Sequence, residues 1–414
     1  MADQHPADDR VPGGPAAGTE PRPGGPPGGR RRRPLVLVPA AVAALLVASG
    51  AAGCGTASSG GSGASSSAVS ATTGPAPSSS AAAAPAGSVE AVAQEVLPSV
   101  VQLRGPSGEG SGVVLSADGL VLTNAHVLEA GRARTPAPGG LDGQPPPAPQ
   151  LQAVFQDGQR APVQVVGTDA TADLAVVRAT SASGRAPIPL GDSDRLRVGQ
   201  GVVAVGSPLG LSGTVTSGIV SALHRPVATG GAQSGQATVI DAVQTDAAIN
   251  PGNSGGALVD MDGHAVGITS AIATLGSSSG GEGGGQQQSG SIGLGFAIPI
   301  DQAKRIADQL VQQGFATQAV LGVGVVPDQQ QGATAEDGAT LASVTPGGPA
   351  ANAGLRPGDV VTRLDDRRID DGDSLVAAVR AENPGAPVTL TVQSPGGPPR
   401  QVSVTLGTER APSS

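Results

Sequence analysis

Residues 245–258 read TDAAINPGNSGGAL, a glycine-rich loop around Ser254 that leads into an apolar run. A serine in such a loop is most often part of an ordinary turn. Glycine also tolerates backbone conformations that direct successive N–H groups toward one point, where they can stabilise a negatively charged oxygen. Because a serine hydroxyl is a poor nucleophile without a base to take its proton, this second interpretation requires a partner elsewhere in the chain.

Two segments upstream contain residues that could act as that partner. His126 lies in LTNAHV at residues 122–127, and Asp173 opens the apolar run DLAVV at residues 173–177. Taken singly, each is most simply a structural residue. Together they meet the requirement, because an imidazole accepts a proton near neutral pH and a buried aspartate orients it. The order His, Asp, Ser is known for this triad. We therefore predict His126 as base, Asp173 as orienting group and Ser254 as nucleophile.

The composition predicts that the folded part of the chain is mainly β. The 414 residues include 65 Gly, 37 Pro, 3 Phe and neither Trp nor Tyr. The apolar residues are mostly Val, Leu, Ile and Ala, a mixture that favours strands. After a helix predicted at residues 88–97, short apolar runs alternate with turn residues, which indicates a sandwich or a pair of barrels. Residues 88–313 are long enough for two barrels.

Several motifs, in this order along the chain, resemble those of the HtrA/Deg serine proteases. They are GVVLSADGLVLTNAHV at residues 112–127, ADLAV at 172–176, VGSPLG at 205–210, the loop at 245–258 and GLGFAIP at 293–299. The resemblance covers residues 88–410. It implies a chymotrypsin-like double β-barrel at residues 88–313, a trypsin-like protease domain that uses the His126, Asp173 and Ser254 triad without a metal or cofactor.

The resemblance also implies the surroundings of the nucleophile. The N–H groups of Gly252 and Ser254, with Asn253 between them, would form the oxyanion hole. Ala248, six residues before the nucleophile, would lie at the base of the specificity pocket, and Leu294 would form an apolar wall. No acidic residue stands at either pocket position.

Two stretches depart from the family pattern. Residues 132–150 form a Pro/Gly-rich insertion between His126 and Asp173, and residues 276–290 form a Gly/Ser/Gln-rich insertion before the pocket strand. Long insertions of this composition are typical of surface loops. Family members often form trimers through N-terminal aromatic residues, and residues 88–154 contain none, so a homotrimer rests on the resemblance alone.

The region at residues 318–409 resembles the PDZ domains of HtrA proteases, small α+β domains that bind peptide C-termini. A helix predicted at residues 301–313, capped by Asp301 and ended by Gly314, precedes this region. Leu321, Gly322 and Val323 can present N–H groups to a peptide carboxylate. The strand that follows them can accept a peptide as an added strand.

Two features of this PDZ region stay open from the sequence. A helix is predicted at residues 374–380, and Leu375, Val376 and Val379 on it could line the groove or fill the core. The expected Asn-Gly turn after the GDV motif at residues 358–360 is replaced by Asp366-Arg367, which lacks a glycine and leaves the turn geometry undetermined.

The N-terminal region is predicted to be disordered apart from one membrane anchor. Residues 1–34 form a Pro/Gly/Arg-rich tail that contains four arginines at residues 30–33. The uncharged run at residues 35–53 would span about 28 Å as a helix, close to the thickness of a bilayer core. The arginines should stay on the cytoplasmic side, which places the remainder outside. Residues 54–87 are Ser/Ala/Gly/Pro-rich and indicate a flexible linker.

Two alternatives to an uncleaved single-pass anchor remain. The segment could be a cleaved export signal, or Cys54 after Ala51-Ala52-Gly53 could be the lipidated residue of a lipoprotein. All three interpretations place residues 88–409 outside the cytoplasm. Cys54 is the single cysteine, which excludes an intrachain disulfide.

Charge and motif together indicate the function. The net charge of −9, with no basic stripe in the main body, argues against nucleic acid as a partner. The leading hypothesis is an endopeptidase that degrades misfolded or damaged extracytoplasmic proteins in quality control and stress response. A catalytically silent, chaperone-like peptide-binding scaffold is the alternative, and a structural wall-linking protein has only the Pro/Gly-rich tails in its favour.

Overall fold

The structure is a computed structural model. It describes residues 84–131, 151–207, 213–229, 238–271, 291, 293–327 and 338–412. Within those residues, no helix is both long enough and apolar enough to cross a membrane. The predicted anchor at residues 35–53, Cys54 and the insertions at residues 132–150 and 276–290 lie outside the described part of the chain.

The first half of the protease region is a closed β-barrel with strand order β1-β2-β3-β6-β5-β4. Alternation along each strand divides the apolar side chains between two cores: Val121 faces the barrel interior, whereas Leu122 faces the second barrel. The strands are β1 Val100–Gly105, β2 Gly108–Val114, β3 Leu120–Thr123, β4 Gln152–Val154, β5 Arg160–Asp169 and β6 Leu174–Ala179.

The second half is another closed barrel, with strand order β10-β11-β12-β9-β8-β7. Its interior is filled by small and branched apolar residues such as Val202, Ile249 and Leu258. The strands are β7 Gly201–Gly206, β8 Thr214–Thr229, β9 Thr238–Thr245, β10 Ala257–Asp260, β11 Ala265–Ser270 and β12 Gly295–Pro299. The predicted double barrel is therefore confirmed.

Two helices flank the barrels. α1, Val89–Val96, is capped as predicted by Ser88, whose hydroxyl accepts a hydrogen bond from the Ala91 N–H at 3.2 Å. α2, Ile300–Gln313, ends at Gly314 in a left-handed conformation, also as predicted. The prediction that Asp301 caps α2 is wrong. The helix begins one residue earlier, and the Asp301 carboxylate instead accepts hydrogen bonds from the backbone N–H and the hydroxyl of Ser193.

The C-terminal region contains a six-stranded sheet and two helices that match the predicted PDZ architecture. The β14 strand lies at the edge of the sheet, beside β15, and β13 pairs separately with β20. The elements are β13 Thr317–Val320, β14 Val323–Val325, β15 Ala339–Val344, α3 Pro349–Asn352, β16 Val360–Leu364, β17 Arg367–Arg368, α4 Gly372–Ala381, β18 Pro387–Gln393, β19 Pro399–Thr405 and β20 Gly407–Arg410.

The hairpin turn between β16 and β17 differs from the prediction. Leu364 pairs with Arg367, so the turn residues are Asp365 and Asp366 rather than Asp366 and Arg367. Asp365 takes the left-handed conformation, with φ +48°, which Asp tolerates better than most residues. Its carboxylate accepts a hydrogen bond from the Thr389 N–H at 2.8 Å, and this bond fixes the turn without a glycine.

Arg367 instead joins the PDZ region to the second barrel. Its guanidinium lies 2.9 Å from Oδ1 of Asp241, a carboxylate on β9 that is almost fully buried. The contact is an ion pair rather than a well-aligned hydrogen bond, since Oδ1 has no hydrogen-bond donor among the described residues. The other oxygen of Asp241 lies 3.0 Å from Nδ1 of His224. Arginine at position 367 therefore has a partner that glycine would lack.

Two further arginines connect the PDZ region to the protease region. Arg380 on α4 donates to the Val239 carbonyl at 3.1 Å, and Arg305 on α2 donates to the Ala381 carbonyl at 3.4 Å. Burial lowers the pKa of both guanidinium groups, while Asp169 opposes this shift in each. The PDZ region is thus held against the protease region by cations that donate mainly to backbone carbonyls.

We expect Arg367→Ala to lower the free energy of unfolding by about 3 kcal/mol, because it leaves the buried Asp241 carboxylate without its cation. Urea denaturation of the whole protein measures the change. Arg368→Ala on the same strand is the matched control, because Arg368 forms an exposed ion pair with Asp370 that should contribute at most about 1 kcal/mol. Equal losses in the two variants would show that the Arg367 pair does not stabilise the docked PDZ region.

Candidate active site

The three residues of the predicted triad come from both barrels. His126 lies in a short 3-10 helix that begins two residues after β3, and Asp173 immediately precedes β6. Since β3 and β6 are paired antiparallel, the end of one strand and the start of the other lie together. Ser254 lies in the loop between β9 and β10 of the second barrel, and its carbonyl accepts a hydrogen bond from the Ser111 N–H of the first.

The imidazole of His126 is held by Asp173. Nδ1 lies 2.9 Å from each carboxylate oxygen of Asp173, and the backbone N–H of His126 donates to Oδ1 at 3.1 Å. The hydroxyl of Ser270 donates to the other oxygen at 3.2 Å. A carboxylate with these donors keeps the proton of the imidazole on Nδ1, which leaves Nε2 available to accept a proton.

The backbone of Asp173 is strained, and its neighbours hold it in place. Its φ of +53° lies in the left-handed region, which is uncommon for residues other than glycine, although Asp tolerates it better than most. The Asn124 side-chain amide donates to the Asp173 carbonyl at 2.9 Å, and the Ala125 N–H donates to the same oxygen at 3.1 Å. These bonds fix the angle at which the carboxylate meets the imidazole.

The Ser254 side chain is buried, and its hydroxyl contacts a backbone N–H group rather than the base. Its oxygen accepts a hydrogen bond from the Ala271 N–H at 3.0 Å. Between these described residues, no hydrogen bond joins Ser254 to His126. Ser254 Oγ and Nε2 of His126 must therefore come within hydrogen-bond distance before the imidazole can take the proton.

The loop around Ser254 contains two unengaged N–H groups. Within the described residues, neither the Gly252 N–H nor the Ser254 N–H donates to a protein acceptor, although both residues are buried. Buried N–H groups without partners are rare in folded proteins and are what an oxyanion hole requires. The N–H of Asn253, predicted as part of the same site, is engaged with the Asn250 carbonyl at 3.0 Å and is not available.

Glycine is required at two positions of this loop. Gly252 has φ +99° and Gly255 has φ +82°, both in the left-handed region. A Cβ atom at Gly255 would lie 2.2 Å from the Ser111 carbonyl oxygen and 2.3 Å from Oγ1 of Thr123. A side chain there would separate the two barrels at the nucleophile.

The two predicted pocket residues lie on neighbouring segments. The Ala248 carbonyl accepts a hydrogen bond from Oγ1 of Thr216 at 3.0 Å, and Leu294 is 41% exposed. Gly295, which follows Leu294, packs so closely that a Cβ atom there would contact Ile249 at 2.6 Å. The segment ending in Leu294 therefore lies alongside the segment that contains Ala248.

The predicted carboxylate-binding loop of the PDZ region leads into β14. Gly322 takes a left-handed conformation with φ +73°, and the carbonyls of Leu321 and Gly322 accept hydrogen bonds from Ala350 and Thr345. On α4, Leu375 and Val379 are buried in the PDZ core, and Val376 is partly exposed. Leu375 and Val379 therefore fill the core, and Val376 is the one of the three that stays partly exposed.

Sequence reasoning missed Asn124, Ser270, Ser111 and Thr269, all buried polar residues that contact the triad or its loop. Asn124 lies inside the LTNAHV motif and could have been found there. Ser111, Ser270 and Thr269 lie within ordinary β-rich runs, where nothing in the local pattern distinguishes a hydroxyl that reaches a distant loop.

Comparison with known proteins agrees with this architecture. The trypsin-like peptidase domain family matches residues 110–268, and the PDZ domain family matches residues 319–406. The serine protease PepD of Mycobacterium tuberculosis is 55% identical over 327 residues, which is 78% of this chain and 67% of that protein. A probable periplasmic DegP-like serine endoprotease of Halomonas elongata is 37% identical over 303 residues, which is 72% of this chain and 56% of that protein.

Solved structures show the same relationship. The HtrA-type protease AlgW with a tripeptide superposes with a TM-score of 0.54 at 32% identity, and the match covers 78% of this chain and 98% of that one. A trypsin-like double barrel followed by one PDZ domain defines the chain as a serine protease of two-domain type. It belongs to the HtrA/DegP family of serine proteases.

Proposed function

We propose that the chain is an endopeptidase in which His126, Asp173 and Ser254 act as the catalytic triad. Ser254 Oγ attacks the carbonyl carbon of the scissile peptide while Nε2 of His126 takes its proton. The same nitrogen then gives that proton to the leaving amine, which forms the acyl-enzyme. Water, deprotonated by His126, releases the acyl group. The Gly252 and Ser254 N–H groups stabilise the oxyanion at both stages.

The observation that carries this proposal is that the buried residues Gly252 and Ser254 have N–H groups without a protein acceptor in a chain whose His126–Asp173 pair lies at 2.9 Å. A silent scaffold has no use for such N–H groups, since unpaired donors on buried residues cost stability when there is no reacting group to bind. A fluorophosphonate probe, which reacts only with an activated serine, tests it. We expect labelling of the wild type that disappears in His126→Ala, and absence of labelling in the wild type would favour the scaffold.

The proposed substrates are unfolded or damaged proteins outside the cytoplasm, and the role is quality control under stress. Relatives with periplasmic names support a site of action outside the cytoplasm. The PDZ region, proposed at residues 318–409, would bind peptide C-termini at Leu321, Gly322 and Val323. The β14 strand lies at a sheet edge and can accept a peptide as an added strand.

We expect cleavage after Val, Ala, Ile or Leu and no preference for Arg or Lys. Neither Ala248 nor Leu294 supplies a counter-charge, and a buried cation without a partner is strongly disfavoured. Discrimination among the four aliphatic residues should be loose, because one methylene changes binding by about 1–3 kcal/mol. Cleavage sites mapped by mass spectrometry in a denatured protein measure this. A majority of cuts after Arg or Lys would require an acidic pocket residue, for which Glu282 is the candidate.

A single-pass anchor at residues 35–53 is proposed, with the protease and PDZ regions outside and residues 1–34 in the cytoplasm. Protease treatment of intact cells should remove residues 88–414, and protection of those residues would exclude this orientation. Cys54→Ser separates the alternatives: retention at the membrane fits the anchor, and loss of membrane association fits a lipoprotein. A homotrimer, proposed from the family resemblance, can be tested by the mass of the purified protein in light scattering.

A further inference from the structure

Two buried hydroxyls contact the loop that contains the nucleophile. Oγ of Ser111, on β2, donates to the Gly252 carbonyl at 2.6 Å. Oγ1 of Thr269, on β11, donates to the Asn253 carbonyl at 2.7 Å. Both side chains are fully buried, with 0% exposure, and they reach the loop from opposite barrels. Successive carbonyls of the loop are therefore each held by a side-chain donor.

The bond from Thr269 determines the direction of a neighbouring N–H group. The Asn253 carbonyl and the Ser254 N–H belong to one peptide unit, which is planar and trans, so the two groups point in opposite directions. Holding the carbonyl against Oγ1 therefore turns the Ser254 N–H away from the Thr269 hydroxyl. That N–H is one of the two unengaged groups of the proposed oxyanion hole.

Thr269 is itself placed rigidly relative to the loop. Its N–H donates to the Gly256 carbonyl at 2.9 Å, and its carbonyl accepts from the Gly255 N–H at 2.8 Å. The Asn253 carbonyl also accepts from the Gly256 N–H at 2.9 Å, so removal of the hydroxyl would loosen the peptide without releasing it. The expected effect is smaller than the loss of an oxyanion donor.

Ser111 fixes the preceding peptide unit. Its hydroxyl accepts a hydrogen bond from the Ser207 N–H at 2.8 Å and donates its single hydrogen to the Gly252 carbonyl. The N–H of that same unit, on Asn253, donates to the Asn250 carbonyl. Because Gly252 can otherwise turn freely, these bonds hold a peptide that would readily reorient.

We propose that Thr269 and Ser111 are positioning residues for the oxyanion hole. The Thr269 hydroxyl holds the Asn253 carbonyl and so aims the Ser254 N–H at the developing oxyanion, and the Ser111 hydroxyl holds the Gly252 carbonyl and so fixes the peptide unit that precedes it. This inference rests on the proposed protease function. A small misalignment of a preorganised donor weakens transition-state binding without weakening substrate binding. The signature is a lower kcat at unchanged KM.

The test compares Thr269→Val, which keeps the shape and removes the hydroxyl, with Thr269→Ser, which restores it. We expect Thr269→Val to lower kcat on a peptide substrate about tenfold with KM changed less than about twofold. The affinity for a peptidyl aldehyde, whose adduct with Ser254 carries the oxyanion, should fall in parallel. Thr269→Ser should recover most of the kcat and most of the aldehyde affinity. Ser111→Ala should also lower kcat and aldehyde affinity with little change in KM. It serves as the test variant if Thr269→Val fails to fold.

Ser193→Ala is the control, because Ser193 is also buried and hydrogen-bonded but contacts Asp301 instead of the loop. It should leave kcat and aldehyde affinity unchanged. If the wild type is active and both Thr269→Val and Ser111→Ala bind the aldehyde as tightly as the wild type does, this inference alone is overturned. A folded wild type that neither cleaves the peptide nor binds the aldehyde would overturn the proposed function and this inference with it.

Discussion

Ser254→Ala should lower kcat for casein cleavage by several orders of magnitude, on the order of 10⁴ to 10⁶. The variant loses the attacking oxygen, and the remaining N–H groups and His126 can accelerate hydrolysis by water only weakly. The fold should be unaffected, because the hydroxyl makes a single described hydrogen bond, from the Ala271 N–H. Peptide binding to the PDZ region should also remain, since Ser254 lies in the protease barrels.

Casein degradation followed over time, with the thermal midpoint of each variant, measures both expectations. Ser403→Ala is the matched control, because Ser403 is an exposed serine on β19 of the PDZ region. Its activity should equal that of the wild type. Cleavage by Ser254→Ala at more than about a tenth of the wild-type rate would remove Ser254 from the role of nucleophile, since loss of a triad nucleophile costs far more than this.

The strands were predictable because their signals are local, whereas the choice of two barrels over a sandwich came from the family resemblance. Alternating apolar residues and turn residues indicate strands without knowledge of their partners, and the helix cap at Ser88 involves a residue only three positions away. The cap predicted for Asp301 was wrong because that carboxylate meets Ser193, which lies 108 residues earlier in the chain. No local pattern reports a partner at that distance.

The turn after β16 is a second place where a contact distant in sequence could not be predicted. The absence of a glycine left the turn geometry undetermined from the sequence, and in the structure the turn lies one residue earlier and uses Asp365. Arg367 can then reach Asp241 on the second barrel, 126 positions earlier in sequence. The arginine is explained only by the contact between the two regions, which the local sequence does not report.

The active site also contains both residues that the sequence predicts and residues that only the structure reveals. The proposed triad was predictable because its chemistry requires three residue types and the family motifs contain them in a known order, whereas the groups that hold it in place follow from packing. Asn124 holds the strained backbone of Asp173, and Ser270 donates to its carboxylate. A buried amide or hydroxyl can make such bonds from many positions, so the sequence does not single them out.

Asp173→Asn is expected to lower kcat about 10⁴-fold at neutral pH, while the protein stays folded. The carboxylate of Asp173 accepts from three donors: Nδ1 of His126, the His126 backbone N–H and the Ser270 hydroxyl. An amide of the same shape must place an NH₂ group where one oxygen was. The NH₂ group cannot face the backbone N–H of His126, because that group is fixed as a donor. The Ser270 hydroxyl, in contrast, can rotate and accept a hydrogen bond from the NH₂ group.

The amide NH₂ group of the Asp173→Asn variant would therefore take the position of Oδ2, 2.9 Å from Nδ1 of His126. Nδ1 would then accept a hydrogen bond, and the ring proton would move to Nε2, where it blocks transfer from the Ser254 hydroxyl. Steady-state kinetics on a peptide substrate measure the loss, and KM should change little. Ser270→Ala is the control, since it removes one donor and keeps the tautomer, and its kcat should fall less than about tenfold. Similar losses in the two variants would show that the Asp173 carboxylate does not set the tautomer of His126.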